Sequence, residues 1–359
     1  MTDRPRSTRI AICSHFSLEH YRGGEKWVAA LANLLSEDGF SVEVRTIPYS
    51  PGGVRRVSHR RVLDPDVSYA EAWHHDLSGV SSAYMMYAPG MRQAFRGSEF
   101  TVAGIHSWAF VSPTLVEPHY SPLHNGAKLF YRLVGERDLA RYDRVHTVTP
   151  AFDGGDRIEP VYVPNFVDRR LFRPNRRPLA DEFQVLVSAA NVHRKGWDLA
   201  RRTASLLEPS IRLVTTGTSD SPHVTGLGFL SERELADAYA RSHAVLHPAR
   251  VDTDSMVINE AGAAGTPVVT TPLETHVREN EAVLHAGTPR GMASLLEGLR
   301  SEWEAGEAYE RRCRYARETS ESRDVERVYP ALKSLLLERA DPEVGDRSDR
   351  SRVPPERRC

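Results

Sequence analysis

Four short segments of this 359-residue chain place residues of reactive type at spacings that could do chemistry. In Asp252-Thr-Asp-Ser-Met-Val-Ile-Asn-Glu260 two carboxylates stand eight residues apart, and Ala261-Gly-Ala-Ala-Gly265 follows. That spacing is a little over two helical turns, so both acids could share one face. The better placing puts Asp252 in the loop before the helix and Glu260 within it. A loop carboxylate and a helix carboxylate can hold two hydroxyl-rich parts of one ligand. The small residues let such a helix pack close to a sheet, and an amphipathic helix with exposed acids would not set Glu260 among Ala and Gly. Asn191-Val-His-Arg194-Lys195-Gly196 sets a Lys beside a Gly ahead of a helix, well placed to neutralise a phosphate. A solvated basic turn is the plain alternative. Gly23-Gly24-Glu25 falls between a strand pattern and a helix pattern, where two glycines admit a phosphate to the backbone and a helix N-terminus offers free N–H groups. It is not a GxGxxG fingerprint, which disfavours a dinucleotide cofactor. Val163-Pro-Asn165-Phe-Val-Asp168 reads as a strand exit whose Asn165 and Asp168 bond local backbone.

Lysine stands only at 26, 128, 195 and 333 among 47 basic residues. The bias reads as a coding preference. Against it, a Lys is the better candidate for a chemical requirement, because an ammonium and a guanidinium are not interchangeable.

These segments need elements to position them. Arg9–Ser14 reads as a strand, Lys26–Leu35 has apolar spacing near 3.6 and reads as a helix, and Ser41–Thr46 alternates as a second strand. The middle of the first half is less legible, with a basic cluster at Arg55, Arg56, His59, Arg60 and Arg61, an apolar run Phe100–Gly104, a helix over Leu123–Leu139 and strands at Arg144–Thr149 and Val161–Val163. Arg169–Asp181, with two prolines, five arginines and little apolar content, reads as a linker. Strand and helix then alternate again: strands at Phe183–Ser188, Ile211–Thr216, Ala244–Pro248 and Pro267–Thr270, helices at Trp197–Leu207, Ser231–Arg241 and Ser255–Ala264, and further helices over 289–340. Ser231 with Glu234 predicts a capping box. Two such blocks predict an α/β protein with mostly parallel sheets.

Composition agrees. Forty-seven Lys and Arg balance 48 Asp and Glu, which argues against a nucleic-acid binder. The length suggests about two domains. No apolar run suffices for a membrane span, and the first fifteen residues lack the apolar core of a signal peptide. Cys13, Cys313 and Cys359 share no metal-ligand spacing and make no disulfide framework, so a cytoplasmic location is expected. The final residues, 341–359, carry five acids and five arginines with almost nothing apolar and are expected to be a disordered tail.

Taken together and in order, the four segments resemble the retaining glycosyltransferases of the GT-B fold, family GT4. That family has a GGxE-type loop near the N-terminus, P-N-G-V-D…F-x-P before the linker, R-x-x-x-x-K-G opening the second domain, and E-x7-E running into E-A-x-A-x-G-x-P-V-V. Gly226–Tyr239 also resembles the family's G-x-V-x-x-E-E-L-x-x-x-Y stretch. The resemblance spans residues 9 to 340. It implies two Rossmann-like domains facing each other across a cleft: an acceptor domain over 1–172, a nucleotide-sugar domain over 173–322, and a helix over 323–340 crossing back. It implies that Gly23 and Gly24 face the donor diphosphate and that Lys195, with Arg194 beside it, neutralises that group as it leaves. Glu260 would hold the ribose hydroxyls, Asp252 the transferred sugar, and backbone amides near Ser255, Met256 and Val257 the sugar and phosphate. His106, after a first-domain strand, would stand near the reaction centre.

The chain departs from the pattern at Ala190, where the family Arg falls, at Asp252 for Glu, at Asp254-Ser255 for F-G and at Phe166 for Gly. The implied activity is transfer of a hexose from a nucleotide diphosphate sugar to a hydroxyl of a glycan or lipid-linked acceptor, with retention and with neither metal nor cofactor. A non-catalytic nucleotide-sugar-binding subunit is the alternative, and an epimerase of the same architecture matches the motifs less well. The basic cluster could contact an anionic membrane surface at the inner face of the plasma membrane, or an acceptor phosphate, at about 1 kcal/mol per cation. A solvated loop in an Arg-rich protein explains it equally.

Overall fold

The computed structural model describes residues 8–50, 53–107, 116, 118–119, 122–174, 179–188, 192–276 and 280–338, with only the backbone at 123, 124 and 127. Ala190, residues 175–178 of the linker and the expected tail over 341–359 lie outside the described residues.

The first half holds β1 (Arg9–Ser14), β2 (Ser41–Thr46), β3 (Ser68–Glu71), β4 (His75–Asp76), β5 (Ser82–Met86), β6 (Phe95–Arg96), β7 (Phe100–Ile105), β8 (Arg144–Thr147) and β9 (Val161–Tyr162). Its helices are α1 (Gly23–Glu37), α2 (Met91–Ala94) and α3 (Pro122–Leu139). The second half holds β10 (Phe183–Val187), β11 (Ile211–Thr215), β12 (Val224–Gly226), β13 (Ala244–His247), β14 (Val268–Thr270) and β15 (Val283–His285). Its helices are α4 (Trp197–Ala204), α5 (Glu232–Arg241), α6 (Met256–Ala264), α7 (Pro289–Ala305), α8 (Glu307–Thr319) and α9 (Val325–Leu337).

One sheet runs β3-β2-β1-β5-β7-β8-β9 and the other β12-β11-β10-β13-β14-β15, with β4 and β6 pairing apart. Every strand pairing in the two large sheets is parallel. Parallel sheets need cover on both faces, and the apolar clusters lie accordingly. Ile10, Ile12 and Tyr84 face α1 and α9, while Ala11, Cys13, Ala83 and Met85 face the other side. In the second sheet Val185 and Leu213 pack under α4 and α7, and Leu186 and Val245 under α5 and α6.

The central strand β5, Ser-Ala-Tyr-Met-Met, is buried at every position. A strand covered on both faces shows no alternation, which is why this one is absent from the sequence reading. The Gly23-Gly24 pair is not in the preceding loop: these are the first two residues of α1, with Arg22 as its N-cap.

The last helix leaves the second half and packs on the first. Val325, Val328 and Leu332 share a core with Ile10 and Leu31, Tyr329 Oη donates to Leu34 O at 3.1 Å, and Lys333 pairs with Asp38 at 2.8 Å. Where the chain crosses, Val167 N donates to Arg323 O at 2.8 Å and Val325 N to Val167 O at 3.0 Å. Among the described residues no helix is long and apolar enough to cross a membrane.

Candidate functional site

Open parallel sheets bind ligands beyond the carboxyl ends of their strands, and there the motif residues of the second half gather. After β10, a 3-10 turn over His193–Lys195 ends at Gly196, whose φ is +74°. A Cβ at Gly196 would lie 1.8 Å from Pro248 O, so only glycine lets this turn close on the end of β13. The turn delivers Lys195 Nζ to 3.2 Å from Asp252 Oδ1. Arg194 beside it is exposed, and its carbonyl accepts from Arg250 N at 3.0 Å.

Asp252 lies in the loop ahead of α6, as expected. Its other oxygen, Oδ2, faces His247 Nε2 at 2.9 Å and His276 Nε2 at 3.3 Å. Burial opposes ionisation of this acid, but the Lys195 ammonium and the two imidazoles outweigh it and hold the carboxyl well below the usual carboxylate range. Burial lowers His247 to about 4. Thr270 Oγ1 donates to His247 O at 2.8 Å, so it accepts from His276 Nδ1 at 3.0 Å. One ligand atom from each of His247, Asp252 and His276 lies within 4.8 Å of the others, so these three could hold a metal. The Lys195 ammonium on the same carboxylate opposes a second cation there.

Ser255 caps α6, its Oγ accepting from Ile258 N at 3.3 Å. The amides of Met256 and Val257 fall in the first turn, where N–H groups have no intrahelical acceptor and the helix dipole is positive. Glu260 stands within α6, buried, and Lys26 Nζ reaches its Oε1 at 2.6 Å from the other half of the molecule. Lys26 also meets Glu232 Oε1 at 2.9 Å. Burial disfavours the Lys26 ammonium, and the two carboxylates more than offset it and push its pKa above the ordinary value. Lys26 therefore occupies the carboxylate that the resemblance assigns to ribose.

The first half contributes less charge. A Cβ on Gly23 would lie 3.8 Å from Met256 Sδ, so the start of α1 faces the start of α6. Glu25 is buried and accepts from Arg22 N at 2.9 Å, closing the turn. His106 follows β7, and its carbonyl accepts from Thr253 Oγ1 at 3.2 Å, next to Asp252. Burial, and then the imidazoles of His146 and His15, hold its pKa well below the ordinary histidine value.

Asn165 does not bond local backbone as expected. Its N donates to Asp254 Oδ2 at 2.8 Å and its Nδ2 to Asp254 O at 3.0 Å, 89 residues away. Arg323 Nη1 reaches the same carboxylate at 2.9 Å. The departure Asp254 is thus a strut that ties the strand exit, the α6 loop and the crossing segment together. Asp168 does act locally, accepting from Arg170 N at 2.8 Å.

In the basic cluster Arg55 pairs with Glu19 at 2.9 Å and Glu71 at 2.7 Å, and Arg56 donates to His20 O at 2.8 Å. Arg60 and Arg61 are exposed. Lys26, His247, His276, Tyr84 and His146 escaped the sequence reading as site residues. Only Lys26 carried a signal, its rarity of type.

The family model described as glycosyl transferases group 1 matches residues 183–301, the stretch that carries Lys195, Asp252 and Glu260. No curated protein matches the chain. Among solved structures, sucrose-phosphate synthase from Thermosynechococcus elongatus is similar with a TM-score of 0.69 at 18% identity, covering 91% of this chain and 98% of that one. HepE of Anabaena, in complex with UDP and glucose, gives a TM-score of 0.67 at 15% identity, covering 91% and 98%. WaaG, a glycosyltransferase involved in lipopolysaccharide biosynthesis, gives 0.62 at 13% identity, covering 91% and 99%. The chain has the GT-B fold, two Rossmann-like halves.

Proposed function

We propose that this chain is a retaining glycosyltransferase of family GT4, moving a hexose from a nucleotide diphosphate sugar to a hydroxyl of a glycan or lipid-linked saccharide. One observation carries the reading: within the stretch matched as glycosyl transferases group 1, Lys195 meets Asp252 at 3.2 Å beside the N-terminus of the helix that bears Glu260. HepE, of the same fold, binds UDP and glucose.

In this reading residues 173–322 bind the donor, residues 1–172 the acceptor, and 323–340 join the two. The arriving diphosphate draws Lys195 from Asp252 and is stabilised as negative charge develops on departure. Arg194, Gly23, Gly24 and the amides of Ser255, Met256 and Val257 complete its surroundings. Ribose hydroxyls meet Glu260 and displace or share Lys26. Asp252, turned toward the sugar, and His106 from the other half flank the transferred hexose. Closure of the cleft excludes water, which would compete as acceptor. Lys195, Arg194 and the α6 dipole supply the positive potential, so the reading assigns no metal and no cofactor. It places the protein in the cytoplasm, with Arg60 and Arg61 available to an anionic inner membrane face. The non-catalytic binding subunit has one observation in its favour: both Asp252 oxygens are already engaged, by Lys195, His247 and His276.

UDP-, GDP-, ADP- and dTDP-linked sugars, scored by thermal shift and by release of nucleoside diphosphate, test both. A shift with one nucleotide class and slow diphosphate release is expected. A shift with no release under any acceptor would favour the binding subunit. No shift with any donor would overturn the function.

A further inference from the structure

Behind His106 lies a chain of hydrogen bonds whose proton positions are all fixed by one backbone carbonyl. His146, on β8, is fully buried, and its Nε2 stands 2.7 Å from Val163 O. A carbonyl can only accept, so Nε2 carries the proton. Burial lowers His146 to about 4, so the ring is neutral at pH 7 and its Nδ1 is bare. Tyr84 Oη, on β5, lies 2.7 Å from that Nδ1 and must donate its single proton there. The same phenol oxygen is 2.8 Å from His106 Nε2, to which it has no proton left to give. His106 Nε2 is therefore the donor.

The arrangement is built into the sheet. Tyr84 is fully buried, and a Cβ on Gly104 of the neighbouring strand β7 would stand 1.8 Å from its hydroxyl. Glycine at 104 is the space through which the phenol crosses the sheet to the two imidazoles. Trp27 closes the other side, its ring 4.5 Å from that of His106 in an edge-on contact and 5.1 Å from that of Tyr84.

We propose that Val163, His146 and Tyr84 form a fixed relay that locks His106 as the neutral Nε2–H tautomer, leaving Nδ1 as a permanent acceptor for a ligand hydroxyl in the cleft. Among the described residues no hydrogen bond reaches that Nδ1. A locked acceptor discriminates by direction: it takes a hydroxyl proton and offers none, so it suits a sugar hydroxyl and rejects a carboxylate or phosphate oxygen. Tyr84 and His146 are positioning residues, acting on the ligand only through His106. The hydroxyl assignment rests on the glycosyl-transfer reading above; the ring assignment does not.

Nitrogen NMR of the full chain, labelled with ¹⁵N-histidine and assigned through loss of signals in His106→Gln, reads the ring directly. At neutral pH His106 is expected to show a protonated Nε2 and a bare Nδ1. Tyr84→Phe should abolish this pattern at His106, giving tautomer exchange, while His146, still held by Val163 O, keeps its own Nε2–H signature. That unchanged signature also reports that the variant is folded. Gly104→Ala should act likewise, since it expels the phenol without removing its hydroxyl. A charged or Nδ1–H ring in the wild type would overturn the proposal, as would an unaltered His106 pattern in Tyr84→Phe. With a donor in hand, Tyr84→Phe should lower kcat about three- to tenfold, as loss of one hydrogen bond does, with the donor KM unchanged. The ring pattern is read without turnover, so failure of the wild type to transfer sugar would overturn the activity and not the relay.

Discussion

The two halves offer the cleft opposite kinds of chemistry on the same architecture. On the second half, the strand ends carry charge: Lys195 on Asp252 at 3.2 Å, with two imidazoles on the other carboxylate oxygen. On the first, the end of β7 carries a neutral hydrogen-bonded set, His106, Tyr84 and His146, packed against Trp27. Both are parallel sheets that expose their carboxyl ends, so topology sets where a ligand sits and not what it is. The side chains at those ends decide it. The charged half suits a diphosphate, whose transfer creates negative charge. The neutral half suits hydroxyls, which would compete badly with a buried ion. Lys26 is the exception that joins them, a first-half cation whose partners Glu260 and Glu232 both belong to the second.

The sharpest way to break this contrast is to remove the charge. Lys195→Ala should lower turnover by at least ~10²-fold, the usual result of deleting a group that stabilises developing charge. Diphosphate release by the folded variant is the measurement. Activity at the wild-type level would mean that the charged half does not do the chemistry assigned to it.

Removing the joint should act on stability as well as on binding. Lys26→Ala leaves Glu260, 6% exposed, without its cation. Breaking a buried pair from one side costs several kcal/mol, discounted here to about 2 kcal/mol because Glu232 is 40% exposed. Urea denaturation followed by tryptophan fluorescence would read it. A midpoint unchanged from wild type would show that the two halves do not depend on this contact.

Acid should act through buried histidines of both halves, His247 in the charged one and His15 and His146 in the neutral one. His15 and His146 are each lowered from 6.5 to about 4 by burial, so in the folded state they remain uncharged while the unfolded chain takes up protons. Their contribution to stability is complete above pH 6.5 and is lost as the pH falls from there to about 4. Each ring contributes a slope of up to about 1.4 kcal/mol per pH unit across that window. His146→Gln should flatten the fall between pH 6 and 4.5 by one ring's share, measured as the urea midpoint against pH. An equally steep fall would mean that other groups carry the acid sensitivity.

What could be read in advance follows the same division. The α6 segment was legible because its information is local: Ser255 caps, the small residues pack, and Asp252 precedes the helix that holds Glu260. The Ser231–Glu234 capping box was legible for the same reason. β5 was not, because burial on both faces erases the period that identifies a strand. Asn165 reads as part of a local turn because residue type alone predicts that, whereas its partner Asp254 lies 89 residues away. His146, His247 and His276 look in sequence like isolated histidines, and only the fold gives each its carbonyl, carboxylate or hydroxyl. Lys26 could be suspected by its type but not by its partners, the nearer of which stands 206 residues on.

The smallest effect concerns the first half's outer surface. Of the basic cluster, Arg55 is held by Glu19 and Glu71 and Arg56 by a backbone carbonyl, so a fourfold substitution would disturb folding along with charge. Arg60 and Arg61 are exposed, and no ion pair is formed by either among the described residues. Arg60→Ser with Arg61→Ser should change stability by less than about 0.5 kcal/mol, as surface substitutions do. If this face meets an anionic membrane, the double variant should pellet less than the wild type with phosphatidylserine vesicles, by about 1 kcal/mol per cation at low salt, and the difference should vanish at high salt. Equal pelleting of both proteins at low salt would remove the membrane from the reading and leave the cluster as a solvated loop.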